Sequence, residues 1–92
     1  AIVCASDLIA MGALKVLRQT QIKVPDDIAV VGYDNIPVSG FTTPALTTVQ
    51  QNTKRAGEIL VNTLLKAISK QEVHDYLMPA ELIIRQSCGK TR

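Results

Sequence analysis

Two apolar stretches constrain this chain most: "AIVCAS" at residues 1–6 and "IAVVGY" at residues 28–33. Neither alternates between apolar and polar positions, as a strand with one wet face would. A strand that is apolar at successive positions is suited to burial on both faces, the usual situation in a covered parallel sheet. Between the two runs lies "LIAMGALKVLRQTQ", which has helical character. Parallel strands need a crossover of a dozen or more residues, and a helix supplies it. The first 33 residues therefore predict a strand–helix–strand unit with parallel strands, and the fold class is α/β.

Local signals refine this reading. Ser6 or Asp7 is placed to cap the first helix, because a short side-chain oxygen accepts from the free N–H groups of the first turn. Arg18 suits the negative end of the helix dipole. Gly12, mid-helix, costs about 1 kcal/mol relative to alanine, which close backbone packing would explain. Ile9, Ala13, Leu14, Val16 and Leu17 are expected to form the core-facing side. "VPDD" makes a turn, residues 35–45 a loop, and "ALTTV" a short strand or connector. In "NTKRAGEILVNTLLKAISK", Ala56, Ile59, Leu60, Leu64, Ala67 and Ile68 recur at helical spacing, with Asn52 or Thr53 as cap. A polar loop follows, with Tyr76 and Leu77 expected to anchor it, and "ELIIR" reads as a last strand. Aromatic content is 3%, so the core must be aliphatic. Three or four strands and two helices cannot cover both faces of a parallel sheet, so the core is expected to be incomplete.

In open α/β sheets, ligands bind beyond the carboxyl ends of the strands. Both predicted strands end in polar residues there: Ser6 and Asp7 after the first, Tyr33, Asp34 and Asn35 after the second. If the strands are parallel, Ser6, Asp7, Asp34 and Asn35 share one edge. A carboxylate at that edge suits paired hydrogen bonds from vicinal hydroxyls or N–H groups, the chemistry of holding a sugar or a nucleobase. The alternative is local: Asp7 can simply cap a helix and Asp34 a turn.

Other chemistry finds little support. Cys4 and Cys88 form no C-x-x-C or Cys/His cluster, so no metal site is expected, and a buried reduced cysteine is the simplest reading. His74, the single histidine, lies in a polar loop and is expected to be exposed. There is no nucleophile elbow and no glycine-rich phosphate loop, so no enzyme and no cofactor are predicted. The net charge of +2 is scattered, which does not support nucleic-acid binding by this segment. No apolar run approaches the roughly 18 residues of a membrane span, so no membrane partner is expected. The chain opens inside an apolar run rather than with methionine, and reads as part of something longer.

"ASDLIAMGALKVLRQTQIKVPDDIAVVGYDN", "PALTTVQQ" and "LMPAELIIRQS", in that order, closely resemble the C-terminal part of the lactose-repressor (LacI/GalR) family of transcription regulators. The resemblance implies a periplasmic-binding-protein-like fold of two α/β lobes, of which this chain holds the C-terminal portion. Residues 1–49 and about 81–92 would belong to the C-terminal lobe, and about 50–80 to the N-terminal lobe. It implies a cytoplasmic repressor that senses a sugar or purine-like effector, forms a homodimer, and binds operator DNA through an N-terminal domain absent from this chain. The same fold also serves periplasmic sugar-binding proteins of uptake systems, which is the alternative; "VPDDIAVVGYDN" with "PALTTVQQ" favours the regulator.

The family's "G-Y/F-D" aspartate maps onto Asp34, and its cleft position before the aspartate of "A-N/S-D" maps onto Ser6. Many sugar-responsive members carry asparagine where this chain has serine, which leaves the effector open. The resemblance also places dimer contacts on the helix face bearing Leu8 and Met11, and in the loop holding Val38, Phe41 and Thr42.

Overall fold

The computed structural model describes residues 1–89. They divide into two compact units. One comprises Ala1–Gln50 with the chain from Glu81 onward, and the other is Gln51–Ala80.

In the first unit, β1 (Ile2–Val3) pairs in parallel with β2 (Val30–Val31), with Ile2 opposite Val30 and Val3 opposite Val31. The amides of Ile2 and Cys4 donate to Ala29 O and Val31 O, both at 2.8 Å. A third segment runs beside the end of β2: Val31 bridges Thr47 in parallel, and Gly32 N and Asp34 N donate to Thr47 O and Val49 O, each at 2.9 Å. This segment continues as β3 (Thr48–Gln50), which pairs antiparallel with β4 (Glu81–Ile83). The parallel strand–helix–strand unit read from the sequence is thus present, with a returning antiparallel strand beside it.

The connection from β1 to β2 carries α1 (Asp7–Gln19). Ser6 is its cap: its backbone is extended and its Oγ accepts from Ile9 N at 3.2 Å. The helix buries Asp7, Ala10, Leu14 and Leu17, spaced to fall on one side of a 3.6-residue helix. Ala10, Leu14 and Leu17 pack with Cys4, Val30 and Leu46 as the core.

This corrects the expected inner face in part, because Ile9 and Val16 are more than half exposed. Asp7 holds the helix by its side chain, and that contact rotates the Ala10–Leu14–Leu17 stripe inward. The neighbourhood of Gly12 is open, with nothing within 4 Å of an added Cβ, so close packing does not account for this glycine. Only one face of the β1–β2 pair is covered: Val30 is buried, whereas Val3 is exposed.

The loop after β2 is more ordered than its composition predicts. Pro37–Phe41 form a short 3-10 helix, with Pro37 in the first turn, where a missing N–H costs nothing. Gln86–Cys88 form a second such turn after β4.

The second unit holds α2 (Thr53–Ile68), capped by Asn52, whose Oδ1 accepts from Arg55 N at 3.0 Å. No residue of α2 is buried, and Leu60, Leu64 and Ile68 of its apolar stripe are exposed. Tyr76 and Leu77 do not anchor the loop that follows: they are 62% and 96% exposed, because α2 is the only regular element of this unit on which they could pack. His74 is exposed, with Nε2 3.9 Å from Glu72 Oε1.

Candidate functional site

Because β1 and β2 are parallel and in register, their carboxyl ends fall on one edge. The two ends are joined directly: Asp7 N donates to Tyr33 O at 2.9 Å. The four residues expected there are brought together, but they divide between structural and exposed positions.

Asp7 is fully buried, and both carboxylate oxygens are engaged. Oδ1 accepts from Thr48 Oγ1 at 2.6 Å, and Oδ2 accepts from Ile36 N at 2.8 Å. It neither caps the helix nor reaches the surface. The carboxylate braces the chain after β2, and Ser6 does the capping.

Gly32 makes this brace possible. An added Cβ would overlap Asp7 Oδ1 and lie 2.9 Å from Leu46 Cδ2.

Asp34 and Asn35 form the corner of the edge. Both have positive φ, 114° and 54°, a region that side-chain-bearing residues seldom occupy, although Asp and Asn are among the more tolerant. Three backbone amides hold the corner. Asp34 N donates to Val49 O, Asn35 N to Thr48 Oγ1 at 3.2 Å, and Ile36 N to Asp7 Oδ2.

The Asn35 side chain is occupied as well. Its Nδ2 donates to Gln50 Oε1 at 3.0 Å, and its Oδ1 accepts from Arg85 Nη2 at 2.9 Å. Asp34 differs: it is exposed, and among the described residues its carboxylate makes no hydrogen bond. The corner therefore presents one uncommitted carboxylate at the strand ends, able to accept from two hydroxyls or N–H groups at once.

Several residues of this corner escaped the sequence reading. Arg85 appeared only as the end of a strand. Its guanidinium donates to Ser39 Oγ at 3.0 Å and Leu46 O at 2.9 Å as well as to Asn35, and its amide donates to Thr47 Oγ1 at 2.8 Å. Ser39, Thr47, Thr48 and Ser87 are buried polar side chains of the same region. The threonine pair inside the short strand "ALTTV" was the available signal; nothing local marks Arg85 or Ser87.

On the far side of α1, Met11, Phe41 and Thr42 line one shallow cavity of about 340 Å³ with Lys15 and Arg18. Arg18 Nη2 donates to Thr43 O at 2.8 Å, joining two of its lining residues. Phe41 is 86% exposed, Leu8 and Val38 are exposed without lining the cavity, and Thr42 Oγ1 is turned inward to Ser39 O and Pro44 O.

Among the described residues, no group of three or more His, Cys, Asp or Glu is gathered as a metal site would require. No helix among them is long and apolar enough to cross a membrane.

A binding-protein-like fold fits a parallel sheet with its polar site beyond the strand ends, and comparison with known proteins agrees. The family of periplasmic binding protein-like domains matches residues 1–88, and the chain belongs to it. The HTH-type transcriptional repressor PurR of Histophilus somni (strain 2336) is 44% identical over 89 residues, covering 95% of this chain and 27% of that protein. The HTH-type transcriptional regulator MalR of Streptomyces coelicolor is 40% identical, over 95% of this chain and 26% of its own length. The crystal structure of the lac repressor dimer bound to operator and the anti-inducer ONPF superposes with a TM-score of 0.85 at 33% identity, covering 94% of this chain and 26% of that one. The complex of the transcriptional regulator CelR with cellobiose gives 0.82 at 34% identity, over 92% of this chain and 27% of that one. The chain thus spans about a quarter of the length of these relatives.

Proposed function

We propose that this chain is the effector-sensing and dimerisation part of a transcription repressor of the LacI type. The observation that carries the reading is Asp34: an exposed carboxylate with no internal partner, held at positive φ beyond the ends of two parallel strands. A buried brace and a rigid corner are spent on presenting this one group. Asp34 accepts hydrogen bonds from the hydroxyls of a sugar or the N–H groups of a purine-like effector. Ser6 and Asn35 border the same edge, and Asp7 supports it from beneath.

The first unit is read as part of the C-terminal lobe, and Gln51–Ala80 as the segment lent to the N-terminal lobe. Met11 and Phe41, with Leu8, Val38 and Thr42 around them, form the subunit contact. Operator DNA is bound by an N-terminal domain outside this chain, in the cytoplasm, and the protein performs no catalysis. The relatives named above are transcription regulators, which supports this reading over an uptake binding protein.

The test is calorimetric titration of the full-length protein with maltose, cellobiose, adenine and guanine. Asp34→Ala leaves the effector's donors unpaired, which costs about 1–3 kcal/mol of binding free energy. Undiminished affinity in a folded Asp34→Ala variant sinks the assignment.

A further inference from the structure

We propose that Arg85 is the positioning residue for Asp34. This rests on the reading of Asp34 as the effector contact and adds a residue about fifty positions away that governs its placement.

Two consecutive non-glycine residues at positive φ are costly, and they persist only where the surroundings over-determine them. The three amide bonds at Asp34, Asn35 and Ile36 fix the backbone from beneath. They do not themselves hold the Asn35 side chain, whose Oδ1 also accepts from Ser39 Oγ at 3.0 Å, and turning that side chain would release the corner.

Arg85 restrains it twice over, by bonding Asn35 Oδ1 itself and by holding Ser39 Oγ, which bonds the same oxygen. A guanidinium has donors only, so Asn35 must face it with Oδ1, which directs Nδ2 to Gln50. The other arm of the fork is anchored on Ser39 Oγ and Leu46 O, so the guanidinium is itself held in place. The Arg85 amide also donates to Thr47 Oγ1, which holds the backbone beneath the side chain. Arg85 thereby links the corner, the 3-10 turn at Ser39 and the segment that leads into β3 at Leu46 in a single planar group. Lysine, a point charge on a flexible stem, cannot satisfy these three acceptors in the same plane.

The experiment is hydrogen exchange of the full-length protein, read at the amides of Asp34, Asn35 and Ile36. The amides of Cys4 and Gly32, bonded within the sheet, serve as internal reference. Arg85→Met should speed exchange at residues 34–36 about tenfold or more relative to the reference amides, because the corner opens locally. Arg85→Lys should restore only part of the protection. Ser87→Ala is the control: Ser87 ties the same tail to Val30 O and Thr47 N but does not touch the corner, so it should affect all these amides alike. If Arg85→Met fails to fold, Asn35→Ala replaces it, since it removes the acceptor at the corner and leaves the guanidinium on Ser39 and Leu46. A uniform increase across the unit, unchanged exchange at 34–36, or complete rescue by lysine overturns the proposal.

Titration with the same sugars and purines separates the two ideas. Arg85→Met should weaken binding about tenfold, and Asp34→Ala should cost less in that background than alone, because coupled residues are non-additive. If Asp34→Ala alone changes nothing, the effector assignment falls while the exchange result still decides the role of Arg85. If Asp34→Ala weakens binding and Arg85→Met does not, the positioning role falls.

Discussion

Gly32→Ala should be among the most damaging single-methyl changes in this chain. The added Cβ would overlap Asp7 Oδ1, lie 2.9 Å from Leu46 Cδ2 and lie 3.2 Å from Asp7 Cα. Neither neighbour can retreat outward, since both Asp7 and Leu46 are 0% exposed. Overpacking of a filled site costs about 1–3 kcal/mol. Displacing the carboxylate also strains its bonds to Thr48 Oγ1 and Ile36 N, and a buried polar group left unmatched costs about 1–3 kcal/mol more. The sum, about 2–6 kcal/mol, is a large share of the 5–15 kcal/mol typical of a native domain. Urea denaturation of wild type and variant, followed by circular dichroism, measures it as a fall in midpoint at unchanged slope. A loss below about 1 kcal/mol would show that the Asp7 brace yields cheaply, and the account of why Gly32 stands there would be wrong.

Three further outcomes are expected. Gly12→Ala should stabilise the protein by about 0.5–1 kcal/mol, because an added methyl meets nothing within 4 Å and only helix propensity changes; destabilisation in the same urea assay would contradict this. Replacing Met11 and Phe41 together by aspartate should lower the dimer fraction of the full-length protein in sedimentation velocity, and an undiminished dimer would count against the proposed contact. Burial pushes the Cys4 thiol above its ordinary 9.0, leaving it less thiolate at pH 8, and its side chain is enclosed. A thiol reagent at that pH should therefore modify the half-buried Cys88 first, and equal rates in the folded protein would refute the burial argument.

The parts of this structure legible in the sequence are those written in local pattern. The unbroken apolar runs around Val3 and Val30 announced parallel strands. Ser6 and Asn52 announced helix starts, and their oxygens accept from Ile9 N and Arg55 N as such caps do. The polar cluster at Asp34 marked the edge where the strands end. What could not be read depends on residues distant in sequence. Asp7 looks like a cap because its true partners, Ile36 and Thr48, lie 29 and 41 positions away. Arg85 looks like a solvated strand end because Asn35 is 50 positions away. Helical spacing alone assigned Ile9 and Val16 to the core; the tether at Asp7, which periodicity does not encode, turned them outward.

The buried polar side chains explain why the corner at Asp34 has a single arrangement. The core of the first unit is six small or aliphatic side chains, from Cys4 to Leu46, and such contacts are non-directional: they hold α1 on the sheet without fixing how the loop after β2 must run. Beside this core lie Asp7, Ser39, Thr47, Thr48 and Ser87, all buried, and among the described residues no buried side-chain polar atom lacks a partner. In a low-dielectric interior an unmatched member of that set would be costly, so the alternatives to the observed pairing are penalised far more than the pairing itself is rewarded. The set draws on the helix start, the 3-10 turn, the third strand and the returning tail. Each must be in place before the others are satisfied. Asp34 stands outside that closed set: its amide donates to Val49 O, and its exposed carboxylate makes no hydrogen bond among the described residues.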